Sequence, residues 1–134
     1  MRQAGGEREY IQIRRLKCSH CGRLHNEMPD CLVPHKHYAA KVIEDVIDEA
    51  AGPDDLSTED YPCEQTMQRW KAWMQRNQTQ IDGIVKSAAY RILGFGDQLL
   101  NSSVSLLEKL RELGAGWLCI IQKIVYNSGG AMAP

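Results

Sequence analysis

From residue 37 to residue 127 apolar side chains return every three or four positions, a period that helices packed on a shared core satisfy. The stretch HYAAKVIEDVIDEA (37–50) sets Ala39, Val42, Ile43, Val46 and Ile47 on one stripe, and GPDD at 52–55 stops it. Ser57-x-x-Asp60 is a weak capping pattern for a short helix. CEQTMQRWKAWMQRN (63–77) sets Met67, Trp70 and Met74 on one stripe, widened by Trp73. Ile81, Ile84, Val85, Ala88 and Ile92 continue a helical pattern. Ser102 or Ser103 is placed to cap VSLLEKLREL, which ends at Gly114, and GWLCIIQKIVYN follows. SGGAMAP reads as a loose tail. The expected fold class is mainly α.

The segment before residue 37 obeys a different period. REYIQIRRLKC (8–18) alternates, with Ile11 and Ile13 on one face, as a strand does. Cys18-x-x-Cys21-Gly22 makes a tight turn, and RLHNE returns as a short second strand. Pro29 and Pro34 make PDCLVP an extended connector. Four regions are expected: a partial zinc-ribbon-like knuckle (8–36), a helix-turn-helix-like unit (37–77), a C-terminal helical region (78–127) and a flexible tail (128–134).

No stretch approaches the ~20 apolar residues of a membrane helix. GWLCIIQKIVY comes nearest and is broken by Gln122 and Lys123. The opening MRQAGGEREY has no apolar signal core, so a cytoplasmic, reducing location is expected. There, cysteines two residues apart read as metal ligands before disulfide partners. Cys18 and Cys21 supply two thiolates, whereas a structural Zn²⁺ takes four ligands. Cys18-x2-Cys21-x9-Cys31-x3-His35 is a tolerable spacing for the rest, with His25 and His37 also in reach. The plainer alternatives are that Cys31 is a small buried residue and that His35 and His37, beside Lys36, form a basic surface. The expected site is an incomplete one.

A net charge of −1 conceals an uneven distribution: +4 over residues 1–41, −9 over 42–66 and +4 over 67–134. Two basic segments flank an acidic one, so a polyanion could bind one face. If the Trp-bearing helix enters a DNA major groove, Gln65, Thr66, Gln68 and Arg69 face the bases, while Lys71 and Arg76 suit phosphates. The alternative is a solvated helix face, since Gln and Arg are good surface helix formers. The acids of 42–66 orient the domain by repulsion, meet a basic partner, or simply face solvent. No phosphate loop, His-Glu-x-x-His or dinucleotide fingerprint occurs, and Cys63, Ser102, Ser103 and Cys119 lack the context of an activated nucleophile.

The blocks IRRLKCSHCGRLHNEMPDCLVPHKHYAAKVIEDVID, DYPCEQTMQRWKAWM, YRILGFGDQLL and IVYNSGGAM resemble a family of uncharacterised bacterial proteins of Firmicutes type, a domain of unknown function related to transposase N-terminal regions. The resemblance implies a zinc-ribbon half followed by a helix-turn-helix-like half. Cys18 and Cys21 match its second cysteine knuckle, and Thr66, Arg69 and Trp70 its recognition helix. The family's earlier Cys-x-x-Cys is not in this sequence, which implies a shortened or reduced ribbon. The expectation is a non-enzymatic protein that binds double-stranded DNA. The alternative is a helical interaction module forming homo-oligomers through its C-terminal helices.

Overall fold

A computed structural model of the chain describes residues 1–58, 62–94 and 96–132. Asp60, half of the expected capping pattern, lies outside these. The strands β1 (Arg15–Lys17) and β2 (Leu24–Asn26) pair antiparallel, with Leu16 opposite His25. The Cys18 N–H donates to the Arg23 carbonyl (2.8 Å) and the Gly22 N–H to the Cys18 carbonyl (2.9 Å). Gly22 sits at φ 69°, where a side chain would be strained. Both strands are exposed throughout, so the hairpin stands out from the core rather than contributing to it.

The helices α1 (Ala40–Ile47), α2 (Glu64–Leu93), α3 (Asp97–Leu100), α4 (Leu106–Glu112) and α5 (Trp117–Asn127) make the body of the protein, which is mainly α. Helix α1 is shorter than the 37–50 pattern because the backbone before it is used elsewhere. The His37 carbonyl accepts the Arg2 N–H (2.7 Å), and the Ala39 and Ala40 N–H groups donate to the carbonyls of Arg2 and Cys31. The segments 63–77 and 81–92 form one uninterrupted helix of 30 residues. Asn77 does not break it: the residue is 2% exposed and its Nδ2 donates to the Trp73 carbonyl one turn back (2.8 Å). Residues 77 and 78, expected on either side of a boundary, are thus consecutive within α2. Gly94, at φ 68°, ends it with a left-handed cap. Ser105, not Ser102 or Ser103, caps α4, its Oγ accepting the Glu108 N–H.

One core unites the helices. Helix α5 packs against α1 and α2, and α4 packs against α2 and α5. Ile43, Val46, Trp70, Trp73, Ile81, Leu107, Trp117, Leu118 and Ile121 are all buried there. Met132, in the segment expected as a loose tail, is 5% exposed and belongs to the same core. Gln80 Nε2 donates to the adjacent Ala131 carbonyl (3.3 Å).

Two carboxylates hold the C-terminal helices to the first two. Glu44, from the acidic run read as a solvated face, is 2% exposed. Its Oε1 accepts the Gly116 N–H (2.7 Å) and its Oε2 the Leu118 N–H (3.0 Å), so a side chain of α1 satisfies the donors that α5 leaves open at its start. Asp82 of α2 repeats the device for α4. Its Oδ1 accepts from Leu106 N–H (2.6 Å), Leu107 N–H (3.1 Å) and Ser105 Oγ (3.1 Å), and Lys86 Nζ lies 3.0 Å from Oδ2.

Glu44→Ala removes the acceptor of one buried and one part-buried donor and should cost about 3 kcal/mol, read as a lower urea midpoint with an unchanged m-value. For Asp82, burial opposes the charge, but the Leu107 N–H, Lys86, Ser105 and the Leu106 N–H outweigh it and hold the carboxyl below its ordinary value. A depressed folded-state pKa gives stability that is complete above the ordinary carboxylate value of about 3.9 and is lost as pH falls through the folded value. The stability of Asp82→Asn should therefore fall less steeply than wild type below pH ~4, as measured by thermal unfolding across pH.

Candidate nucleic-acid interface

The apolar stripe of α2 decides which of its polar side chains meet solvent. Met67, Trp70, Trp73, Met74, Asn77 and Ile81 are buried. At 3.6 residues per turn the opposite side carries Gln65, Arg69 and Arg76 along one line and Gln68 and Gln75 along the next. All five are exposed. Gln65 and Arg69 bond no side chain among the described residues, so both are available to a partner. Gln68 Nε2 donates to Glu64 Oε1 (2.9 Å), and Lys71 is paired to Glu49 (3.0 Å). Thr66 points elsewhere: it is half-buried and its Oγ1 lies 3.3 Å from Cys63 Sγ at the start of the helix. The six residues expected as one DNA-facing set therefore divide. Gln65, Arg69 and Arg76 share an exposed face, Gln68 and Lys71 are held by acids, and Thr66 sits at the helix entrance.

Residues 48–63 separate α1 from α2, far more than the three or four of a tight helix-turn-helix turn. The connector extends the basic face that the sequence suggested around Lys36. Lys36 Nζ lies 5.0 Å from the centre of the Trp73 ring. Burial and the nearby Arg76 guanidinium push its pKa below the ordinary lysine value. Sequence reasoning left Lys36 out of the DNA-facing set because the connector and α2 are far apart along the chain.

The knuckle is a tight turn, closed by the Gly22 N–H on the Cys18 carbonyl. The backbone N–H groups of Cys21 and His20, followed by the Cys21 side chain, point at the Cys18 sulfur and lower its pKa. Arg14 forks onto Glu27 (2.5 and 2.9 Å), bracing the hairpin base and holding the Glu27 carboxyl below its usual range. Among the described residues no three His, Cys, Asp or Glu side chains gather into a metal-binding group. Cys31 and His35 therefore do not complete the shell. Cys31 is exposed in the connector, with its carbonyl on the Ala40 N–H (2.8 Å), and His35 occupies a turn at φ 63°. Two donors fit only half of a tetrahedral zinc site. All five cysteines are free.

Cys63, exposed at the N-cap of α2, was not read as special in the sequence. The Thr66 side chain and backbone lower its thiol pKa, while burial raises that of Cys119. A cysteine directly before a helix and three residues ahead of a threonine is the local signal for this. No helix among the described residues is long and apolar enough to cross a membrane.

A family model matches residues 1–70, a span holding the hairpin, the connector, α1 and the first turns of α2 through Trp70. No curated protein and no solved structure matches the chain. The matched span is just over half of the 134 residues. The chain belongs to the family described as a domain of unknown function, DUF6431.

Proposed function

We propose that this is a non-enzymatic protein of the cytoplasm that binds double-stranded DNA, related to the N-terminal regions of mobile-element transposases. The observation that carries the reading is the exposed line Gln65, Arg69 and Arg76 on α2, with Lys36 alongside. Gln and Arg offer bidentate donors to adenine and guanine edges, and Lys36 and Arg76 suit phosphates. A 30-residue helix backed by a Trp-rich core is a rigid mount for such a line. The long α1–α2 connection means the reading rests on this face and not on a tight helix-turn-helix. Zn²⁺ at Cys18 and Cys21 is proposed to bind weakly and to play no part in the contact with DNA.

Measured by fluorescence anisotropy on a random duplex, affinity should fall steeply between 50 and 200 mM salt. Arg69→Ala should weaken binding several-fold and reduce the salt slope by about one, whereas Lys109→Ala, on α4, should change neither. A chelator should leave the affinity within about twofold. Salt-independent binding, or equal effects of the two substitutions, would count against the reading.

A second reading, assembly through the C-terminal helices, is favoured by a different observation. Val85, Ala88, Ile92, Leu106, Leu110 and Leu113 line an apolar groove of about 300 Å³ between α2 and α4. Ile92 and Leu113 are 79% and 83% exposed at its edge. Exposed apolar surface of this kind marks contact sites. Light scattering should report a dimer that Leu113→Glu converts to monomer; a wild-type monomer at 100 μM removes this reading.

A further inference from the structure

The first ten residues fold back on the connector. The Arg2 N–H donates to the His37 carbonyl (2.7 Å), the Arg2 carbonyl accepts the Ala39 N–H (2.9 Å), and residues 2 and 8 form an antiparallel bridge. The fold-back encloses a cleft of about 530 Å³ whose walls carry Arg2, Arg8, Lys36 and His37, with Glu9 as the only carboxylate and Tyr10 at the edge. Glu9 is already engaged, its Oε2 accepting Gln3 Nε2 (2.7 Å). Arg8 and Lys36 take no carboxylate partner among the described residues. Two of the cations rest on aromatic faces: Lys36 on Trp73, and Arg2 with its Cζ 6.0 Å from the Tyr38 ring centre. Tyr10 is 95% exposed, an aromatic ring held out in water beside this charge.

Arg8 and Lys36 on one concavity, against one occupied carboxylate, call for an anionic ligand. The exposed ring narrows the class. Basic grooves with free aromatic side chains are the platforms on which single-stranded nucleic acid lays its backbone and stacks its bases. We propose that the cleft takes a phosphodiester of a single-stranded or unpaired nucleic-acid segment, with the adjoining base stacked on Tyr10. Lys36 links this cleft to Arg76 and hence to the α2 face, so a duplex on α2 could deliver a frayed or unpaired end here. The proposal extends the DNA reading but does not require it, because Arg8 and Tyr10 belong to the cleft alone and only Lys36 is shared with the α2 face.

The test uses the full chain and a fluorescein-labelled 12-nucleotide single strand at 50 mM salt. Arg8→Ala with Tyr10→Ala should reduce affinity about tenfold or more, since each stacked base and each phosphate contact is worth several-fold. Both side chains are exposed, so the fold should survive, which an unchanged far-UV spectrum and thermal midpoint would verify. Tyr10→Ala alone should weaken binding of the normal strand and not of an abasic strand of equal length. Equal loss on both strands, or double-variant affinity within twofold of wild type, overturns the proposal. Arg69→Ala, measured in parallel on duplex and single strand, keeps the two ideas apart: loss confined to duplex supports both sites. No effect on duplex sinks the α2 reading and leaves the cleft to be decided by its own variants.

Discussion

The buried carboxylate of Glu44 is the contact around which the molecule closes. It sits on α1, yet the donors it satisfies belong to Gly116 and Leu118 at the start of α5. Without it, the buried Leu118 N–H and the half-buried Gly116 N–H would lose their acceptor while Trp117 and Leu118 were driven into the core beside them. Asp48, the residue that caps the C-terminus of α1, strengthens the same join. It accepts from Trp117 Nε1 and pairs with Arg111 of α4, whose guanidinium lies 5.3 Å from the centre of the Trp117 ring. Asp82 performs the equivalent service for α4 from the middle of α2. The three C-terminal helices are therefore not an appendage to the family domain. Helices α4 and α5 are capped and covered by α1 and α2, and α3 packs on α2.

These contacts also change the meaning of the acidic segment. Nine acids between residues 42 and 66 look like a barrier to any polyanion. In the folded chain most of the described ones are engaged. Glu44 caps α5, Asp45 pairs with Lys41, Asp48 with Arg111 and Glu49 with Lys71, while Glu64 takes Gln68. A charge committed to a neighbouring cation or a helix terminus projects less field into solvent than its formal count implies. Arg8, Lys36 and Arg69 take no carboxylate partner among the described residues.

The hairpin makes the complementary point. Its turn has the backbone geometry that favours thiolates, and the Arg14–Glu27 fork stiffens its base. Yet among the described residues no metal-binding group of three or more donors forms, and neither strand is buried. Local sequence is enough to make a knuckle; a complete metal shell needs ligands brought in from outside the turn.

The local rules in the sequence determined a great deal. Alternation produced the hairpin, the 3.6-residue period produced the helices and their buried stripes, and the same period placed Gln65, Arg69 and Arg76 away from the core. These features depend on neighbours within a few residues, which is the range over which a sequence is directly readable. What tertiary structure alone decided were the long-range matches. Asn77 could have ended a helix, but burial and a bond to its own preceding turn carried α2 through it. Glu44 resembled a solvated acid, and Asp82 carried no local sign of a role, until helix ends 72 residues or more away in one case, and some two dozen in the other, arrived at their oxygens. Lys36 met Trp73 because the connector lies against α2, and Arg2 met Tyr38 because the first ten residues fold back on the connector. Asn77 apart, whose bond is local and whose burial the fold decided, the partner is distant along the chain, and a carboxylate or a cation carries no local mark of which terminus or ring it will meet.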